Sequence, residues 1–251
     1  MRIGAFQFSS CEDTELNFAA IKRAIVEAAE NKVKLLVFHE CALCGYPPLE
    51  TDISKIDFDK LDICIAEIRQ MAKQYNMHIA LGNIREKHNE VLVIDSKGEI
   101  IGRYAKRALW GWDLDNFVKG ENQGIYEIDG VKIGFRICYE VRFPEYLREL
   151  FKEKVELCFV CFNDTSQEDS IDRYDTIKAH LLTRAVENVM TVVSVNSISN
   201  YQTAPTAVFD INGKIVSEAP KNEEYLLIYD YETPEIGFGA RGRIAHSLDL
   251  M

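Results

Sequence analysis

The order of apolar runs constrains the fold of this chain more than any other feature. Short strand-type runs alternate with segments of helical period, and hairpin signals interrupt the alternation. Residues 2–8, RIGAFQF, read as a strand. Thr14 to Asn31 reads as an amphipathic helix, with Phe18, Ile21, Ile25 and Ala28 on one face. Lys34 to Phe38 is a run of buried-strand type ending at His39-Glu40, and a Gly/Pro loop, CALCGYPPLE, follows. Phe58 to Gln74 is a second helical segment, His78 to Asn83 a strand, and GNIREKHNE reads as a loop.

Three hairpins are signalled by their turns. Val91–Asp95 and Glu99–Tyr104 flank Ser96-Lys97-Gly98; Ile125–Ile128 and Val131–Ile137 flank Asp129-Gly130; Ala207–Asp210 and Lys214–Ser217 flank Ile211-Asn212-Gly213. Between the last two lie a helix from Pro144 to about Phe151, a strand Val155–Phe162, a helix Arg173–Val189 and a strand Thr191–Asn196. Tyr225–Tyr229 is the last clear strand, and the tail from Thr233 has no strong period. Hairpins mixed with βα units predict an α/β chain with a mixed sheet, or two, and helices outside. With no internal repeat, low-complexity segment or linker, a single domain over residues 1–251 is expected.

The formal net charge of −11 argues against nucleic acid or an anionic membrane as the main partner. No apolar run approaches the ~20 residues of a membrane span. MRIGAFQF is strand-like and too short for a signal peptide, so a cytoplasmic protein is expected. The odd count of seven cysteines argues against a disulfide framework. Cys41/Cys44 and Cys158/Cys161 have CxxC spacing, but the second pair lies in a strand pattern. Strand residues three apart point to opposite faces, which disfavours a zinc site.

Three polar residues stand at or just beyond the ends of apolar runs: Glu40 after KLLVFH, Lys106 after IIGRYA, and Cys138 after KIGFRI. Each also has a plain structural reading, as a capping carboxylate, a solvated lysine and a buried thiol. Cys138 sits between a strand and a helix start at Pro144, a rigid mount for a nucleophile. Charges at strand ends are costly unless paired, and Glu40 and Lys106 beside Cys138 would compensate each other. As a set they define a mechanism. Glu40 is the general base, Cys138 forms a thioester, and Lys106 with the backbone N–H of Tyr139 stabilises the oxyanion.

FHECALCGYPP, GRYAKRAL and GFRICYEVRFPE resemble the segments that carry the Glu–Lys–Cys triad of the carbon–nitrogen hydrolases, the nitrilase superfamily. RAVEN (184–188) and TAVFDINGKIV (206–216) resemble further family segments, and the match runs nearly end to end. The resemblance implies a four-layer αββα sandwich, a homodimer or higher homo-oligomer joined through outer helices, and neither metal nor organic cofactor. It implies hydrolysis of a small linear non-peptide amide with release of ammonia, omega-amidase-like in its leading form. An N-carbamoyl amine or amino-acid amidohydrolase, a nitrile-cleaving enzyme, and a non-catalytic binding protein retaining the fold are the alternatives. The family often places Arg and His where this chain has Ala105 and Ala108, and Pro where it has His39. The family's second glutamate has no counterpart except Asp113 or Asp115. Tyr46, Trp112, Arg142 and Asn163 are the candidate substrate-binding residues, with Arg142 or Arg173 for a substrate carboxylate.

Overall fold

A computed structural model describes residues Met1–Met251. The first half runs β1 (Arg2–Gln7), α1 (Thr14–Glu30), β2 (Leu35–Phe38), α2 (Phe58–Tyr75), β3 (His78–Arg85), β4 (His88–Ile94), β5 (Ile100–Ala105) and α3 (Asp113–Asn116). The second runs β6 (Ile125–Ile128), β7 (Val131–Ile137), α4 (Pro144–Lys152), β8 (Leu157–Phe162), β9 (Thr165–Ser166), α5 (Ile171–Asn188) and β10 (Thr191–Asn196). It continues with β11 (Tyr201–Gln202), β12 (Ala207–Phe209), β13 (Ile215–Glu218), β14 (Tyr225–Asp230) and α6 (Phe238–Asp249).

Two six-stranded sheets form, in the orders β14-β1-β2-β3-β4-β5 and β13-β12-β10-β8-β7-β6. In the first, β1, β2 and β3 are parallel, and β14, β4 and β5 run antiparallel to their neighbours. The second repeats this pattern with β7, β8 and β10 parallel and β6, β12 and β13 antiparallel to their neighbours. The topology is thus duplicated although no repeat is visible in the sequence.

Strand alternation explains the layering. Leu35 and Val37 of β2, with Leu157, Phe159 and Cys161 of β8, belong to the core between the sheets. Leu36 and Phe38 face α1 and α2 in a second core. Cys158, Val160 and Phe162 face α4 and α5 in a third. Both faces of these strands are dry, which is why they read as unbroken apolar runs. The result is the αββα sandwich. Cys158 and Cys161 fall in different cores, as their spacing on a strand requires. A Cβ at Gly134 would meet Leu150 Cδ1 at 2.7 Å, so glycine lets α4 press on β7 there.

One expectation needs correction, and one segment read without a period acquires a structure. The segment 82–90 is not a loop: β3 and β4 continue through it, closed by a turn with Glu86 and Lys87 at φ +47° and +64°. Such a turn usually announces itself with Asn-Gly, and a Glu-Lys pair gives no signal. The aperiodic tail forms α6, of which only Ala240 is buried. With so narrow an apolar face, it leaves no helical stripe to read. No helix is long and apolar enough to cross a membrane.

Candidate active site

Glu40, Lys106, Cys138 and Asn163 all lie just past the C-terminal ends of strands: β2, β5, β7 and β8. Clefts outside strand carboxyl ends are where open α/β sheets bind ligands. The first two residues come from one sheet and the last two from the other. A backbone bond ties the sheets together here. Glu40 N–H donates across to the Phe162 carbonyl of β8 at 3.3 Å, while within the first sheet Lys106 N–H donates to the Asn89 carbonyl of β4 at 2.8 Å. The loop after β2 crosses β3 so closely that a Cβ on Gly82 would lie 1.9 Å from the His39 carbonyl oxygen.

Lys106 is buried and bridges two buried carboxylates. Its Nζ donates to Glu40 Oε1 and to Asp113 Oδ2, each at 2.8 Å. An ammonium carries three donors, so one N–H is left over. Glu40 also accepts from Asn89 Nδ2 at 2.7 Å and from the Asn163 backbone N–H at 2.9 Å. Asp113 accepts from the Tyr46 hydroxyl at 2.8 Å. Every oxygen of the two carboxylates is therefore held, which fixes their orientation.

Burial raises the Glu40 pKa above the ordinary carboxylate value; Lys106 opposes the rise and Asp113 adds to it. For Lys106, burial disfavours the ammonium, but the charge of Glu40 and other nearby acids outweighs it and the pKa lies well above that of free lysine. Burial also pushes the Cys138 thiol up, Glu40 pushes it further and Lys106 opposes. The thiol is therefore protonated at rest, beside a carboxylate made unusually ready to accept a proton. Cys138 has φ +45°, a left-handed conformation that strains any residue with a Cβ. A 3-10 turn, Cys138–Arg142, then leads into α4.

Cys138 and Lys106 open onto a cleft of about 360 Å³, which Tyr46, Trp110, Tyr139, Arg142, Asn163 and Arg173 also line. Four placements refine the sequence reading. Asp113 joins Lys106, whereas Asp115 is exposed on α3 and faces a separate cleft with Arg85 and Lys87. Trp112 does not line the cleft: it stacks edge-on against Phe117 at 5.6 Å beside the α1/α2 core. Trp110, on the other side of the turn, is half-exposed and takes that place. Arg173 is spent on Asp164, donating through Nε and a terminal nitrogen at 2.8 and 3.0 Å. Arg142 has no carboxylate partner and lies 6.0 Å from the Tyr139 ring. Asn163 donates its side-chain amide to Glu50 at 3.1 Å, and its Oδ1 has no partner in the protein.

Sequence reasoning missed Asn89, Glu50 and Glu140. Asn89 sits inside the segment misread as a loop. Glu50 accepts from Ser10, Tyr46 N–H, Asn163 and Ser197, partners scattered along the chain that leave no local pattern. No group of three or more His, Cys, Asp or Glu side chains is arranged to hold a metal ion.

The family model "Carbon-nitrogen hydrolase" matches residues 2–238. The chain belongs to that family. A deaminated glutathione amidase of Dictyostelium discoideum is 28% identical over 262 residues, spanning 92% of this chain and 87% of that protein. A 2-oxoglutaramate amidase of Bacillus subtilis (strain 168) is 28% identical over 167 residues, 62% of each chain. Among solved structures, the amidase from Nesterenkonia sp. AN1 shares the fold. Its mutant with the acetamide moiety of fluoroacetamide added covalently at the active site cysteine superposes with a TM-score of 0.83, at 22% identity over 98% of this chain and 93% of that one. Another mutant, in complex with butyramide, gives a TM-score of 0.81 at 24% identity over 92% and 90%.

Proposed function

We propose that this carbon–nitrogen hydrolase cleaves small linear amides that carry a carboxylate, in the manner of an omega-amidase, through a thioester on Cys138. The observation that carries the reading is Lys106 held between Glu40 and Asp113, each at 2.8 Å, beside a thiol that opens onto the same cleft. Glu40 takes the Cys138 proton as sulfur attacks the amide carbon. The remaining N–H of Lys106 and the Tyr139 N–H, the first after the nucleophile, receive the negative charge on the carbonyl oxygen. Collapse breaks the C–N bond, and the proton on Glu40 goes to the leaving nitrogen, giving ammonia. Glu40 then deprotonates water, which attacks the thioester; the acid leaves and the thiol regains its proton.

Two features support the substrate class. Arg142 is the cleft arginine whose guanidinium is not spent on a protein carboxylate, so it is available to a substrate's. The unpartnered Oδ1 of Asn163 suits an amide N–H. A molecule of 2-oxoglutaramate, the substrate named for one relative, has an amide at one end and a carboxylate at the other. We assign the enzyme to the cytoplasm as one domain over residues 1–251, paired through outer helices into a homodimer or higher homo-oligomer; light scattering on purified protein checks the last point.

The test is ammonia release from a panel of dicarboxylate monoamides, alkyl amides, N-carbamoyl amino acids and nitriles. Ammonia alone from the monoamides is expected, and its release should be abolished in Glu40→Gln. Carbon dioxide released alongside ammonia would move the assignment to the carbamoyl compounds. No turnover of any compound, with no acyl adduct on Cys138 of the native protein visible by intact mass, would leave a binding protein that retains the fold.

A further inference from the structure

Glu140 follows the nucleophile by two positions, yet its side chain is buried away from the cleft, with none of its surface exposed. A buried carboxylate must find donors. Those of Glu140 come from both sheets. Oε2 accepts from the Ile137 N–H at 2.6 Å. Oε1 accepts from the Arg107 N–H at 2.6 Å and the Ala108 N–H at 3.3 Å. The Tyr104 hydroxyl lies 2.9 and 2.8 Å from the two oxygens. Ile137 directly precedes Cys138, Arg107 directly follows Lys106, and Tyr104 is on β5, the strand that ends one residue before Lys106.

The geometry points to Glu140 as the positioning residue that sets Cys138 against Lys106, an assignment that rests on the roles proposed above for those two. One carboxylate spans the join between the strand leading to the nucleophile and the segment carrying the ammonium. Each oxygen meets a backbone N–H, and such bonds are directional, so the carboxylate fixes orientation as well as distance. The bond to Ile137 also anchors the residue immediately before the strained φ of +45° at Cys138. Nothing in the arrangement touches substrate. Its effect is on where the thiol and the ammonium stand relative to each other, and a displacement of about 1 Å at such a point costs on the order of 100-fold in rate.

Glu140→Gln keeps the shape but presents an NH₂ to a backbone N–H whichever way the amide turns. The variant is compared with the native protein by steady-state kinetics on an accepted amide. In parallel, peptide mass spectrometry follows iodoacetamide alkylation of Cys138, with the half-exposed Cys11 as internal reference. Expected are a fall in kcat of about 100-fold with KM changed by less than about threefold, and Cys138 alkylation slowed about tenfold relative to Cys11. A general loosening of the fold would instead raise the reactivity of both cysteines. Tyr104→Phe, which removes one clamp and leaves the backbone bonds, is expected to lower kcat and relative alkylation about fivefold. A folded Glu140→Gln protein with the native kcat and native alkylation ratio overturns the assignment. Should that variant not fold, native values of both in Tyr104→Phe overturn it. A native protein that hydrolyses no amide overturns the functional reading instead, while the alkylation ratio still decides the role of Glu140.

Discussion

Two carboxylates and one ammonium are held out of water at the site, and together they shape the titration of Glu40 and Lys106. Amide hydrolysis by this set requires Glu40 as the base, in its deprotonated form. Burial raises its pKa, so it keeps its proton to higher pH than a free glutamate does. Activity should therefore fall on the acid side at a pH above the ordinary carboxylate range, as read from the pH profile of kcat/KM. The negative charge of Asp113 adds to the rise. Asp113→Asn removes that charge, and the acid limb should move to lower pH, even as looser Lys106 reduces the maximum. Arg142→Gln should separate recognition from chemistry: KM for a carboxylate-bearing amide rises about tenfold or more, while an uncharged amide is turned over as before. A profile unmoved by Asp113→Asn, or equal losses on both amides from Arg142→Gln, would contradict these roles.

Elements carry two further predictions. Gly82 on β3 lies under the loop that delivers Glu40, and a Cβ there would meet backbone rather than a side chain that can step aside. Gly82→Ala should cost about 3 kcal/mol in a urea titration and depress kcat by displacing Glu40. Helix α5 ends at Val189, whose φ of +50° and ψ of +45° suit glycine rather than a β-branched residue. Val189→Gly should raise stability by roughly 1 kcal/mol. An unchanged or lower urea midpoint would show that its side-chain contacts outweigh the strain.

Elements also mark what the sequence reveals. Strands β2 and β7 were legible because dry strands leave apolar runs, and the partly exposed β5 because Ser96-Lys97-Gly98 marks its hairpin; Glu40, Lys106 and Cys138 stood out as polar residues past their ends. Resemblance to a family then joined three isolated residues into one site. Other parts left no trace. Asn89 bonds to Glu40 from 49 positions away, and Glu140 reaches Arg107 from 33. Pairings so distant impose no period on the chain. The turn at Glu86-Lys87 uses residues that do not advertise a left-handed backbone, so the strand holding Asn89 was shortened in the reading. Trp110 and Trp112 are equivalent in composition, and only the path of the turn between them decides which meets the cleft.

Across the whole molecule, activity and stability share one interface. The site straddles the ends of two sheets whose facing strands form the central core. Phe135 and Phe159 stack there with ring centroids 5.7 Å apart. Phe135→Ala should cost about 3–5 kcal/mol, measured as a lower denaturant midpoint. Because the cleft is built from the strand ends of both sheets, activity should be lost at the same denaturant concentration as tertiary structure, with no active intermediate.

The first sheet also has a history in time. Its edge strand β14 pairs with β1 along the full register Arg2–Asp230 to Gln7–Tyr225, and the Met1 ammonium donates to the Tyr231 carbonyl at 2.7 Å. During synthesis the partner of β1 on that edge emerges only about 220 residues after it, when the rest of both sheets has been made. On a ribosome adding roughly 5–20 residues per second, that edge stays unpaired for some ten seconds or more. A nascent chain halted before Tyr225 would hold Glu40, Lys106 and Cys138 and still present an open strand to its neighbours.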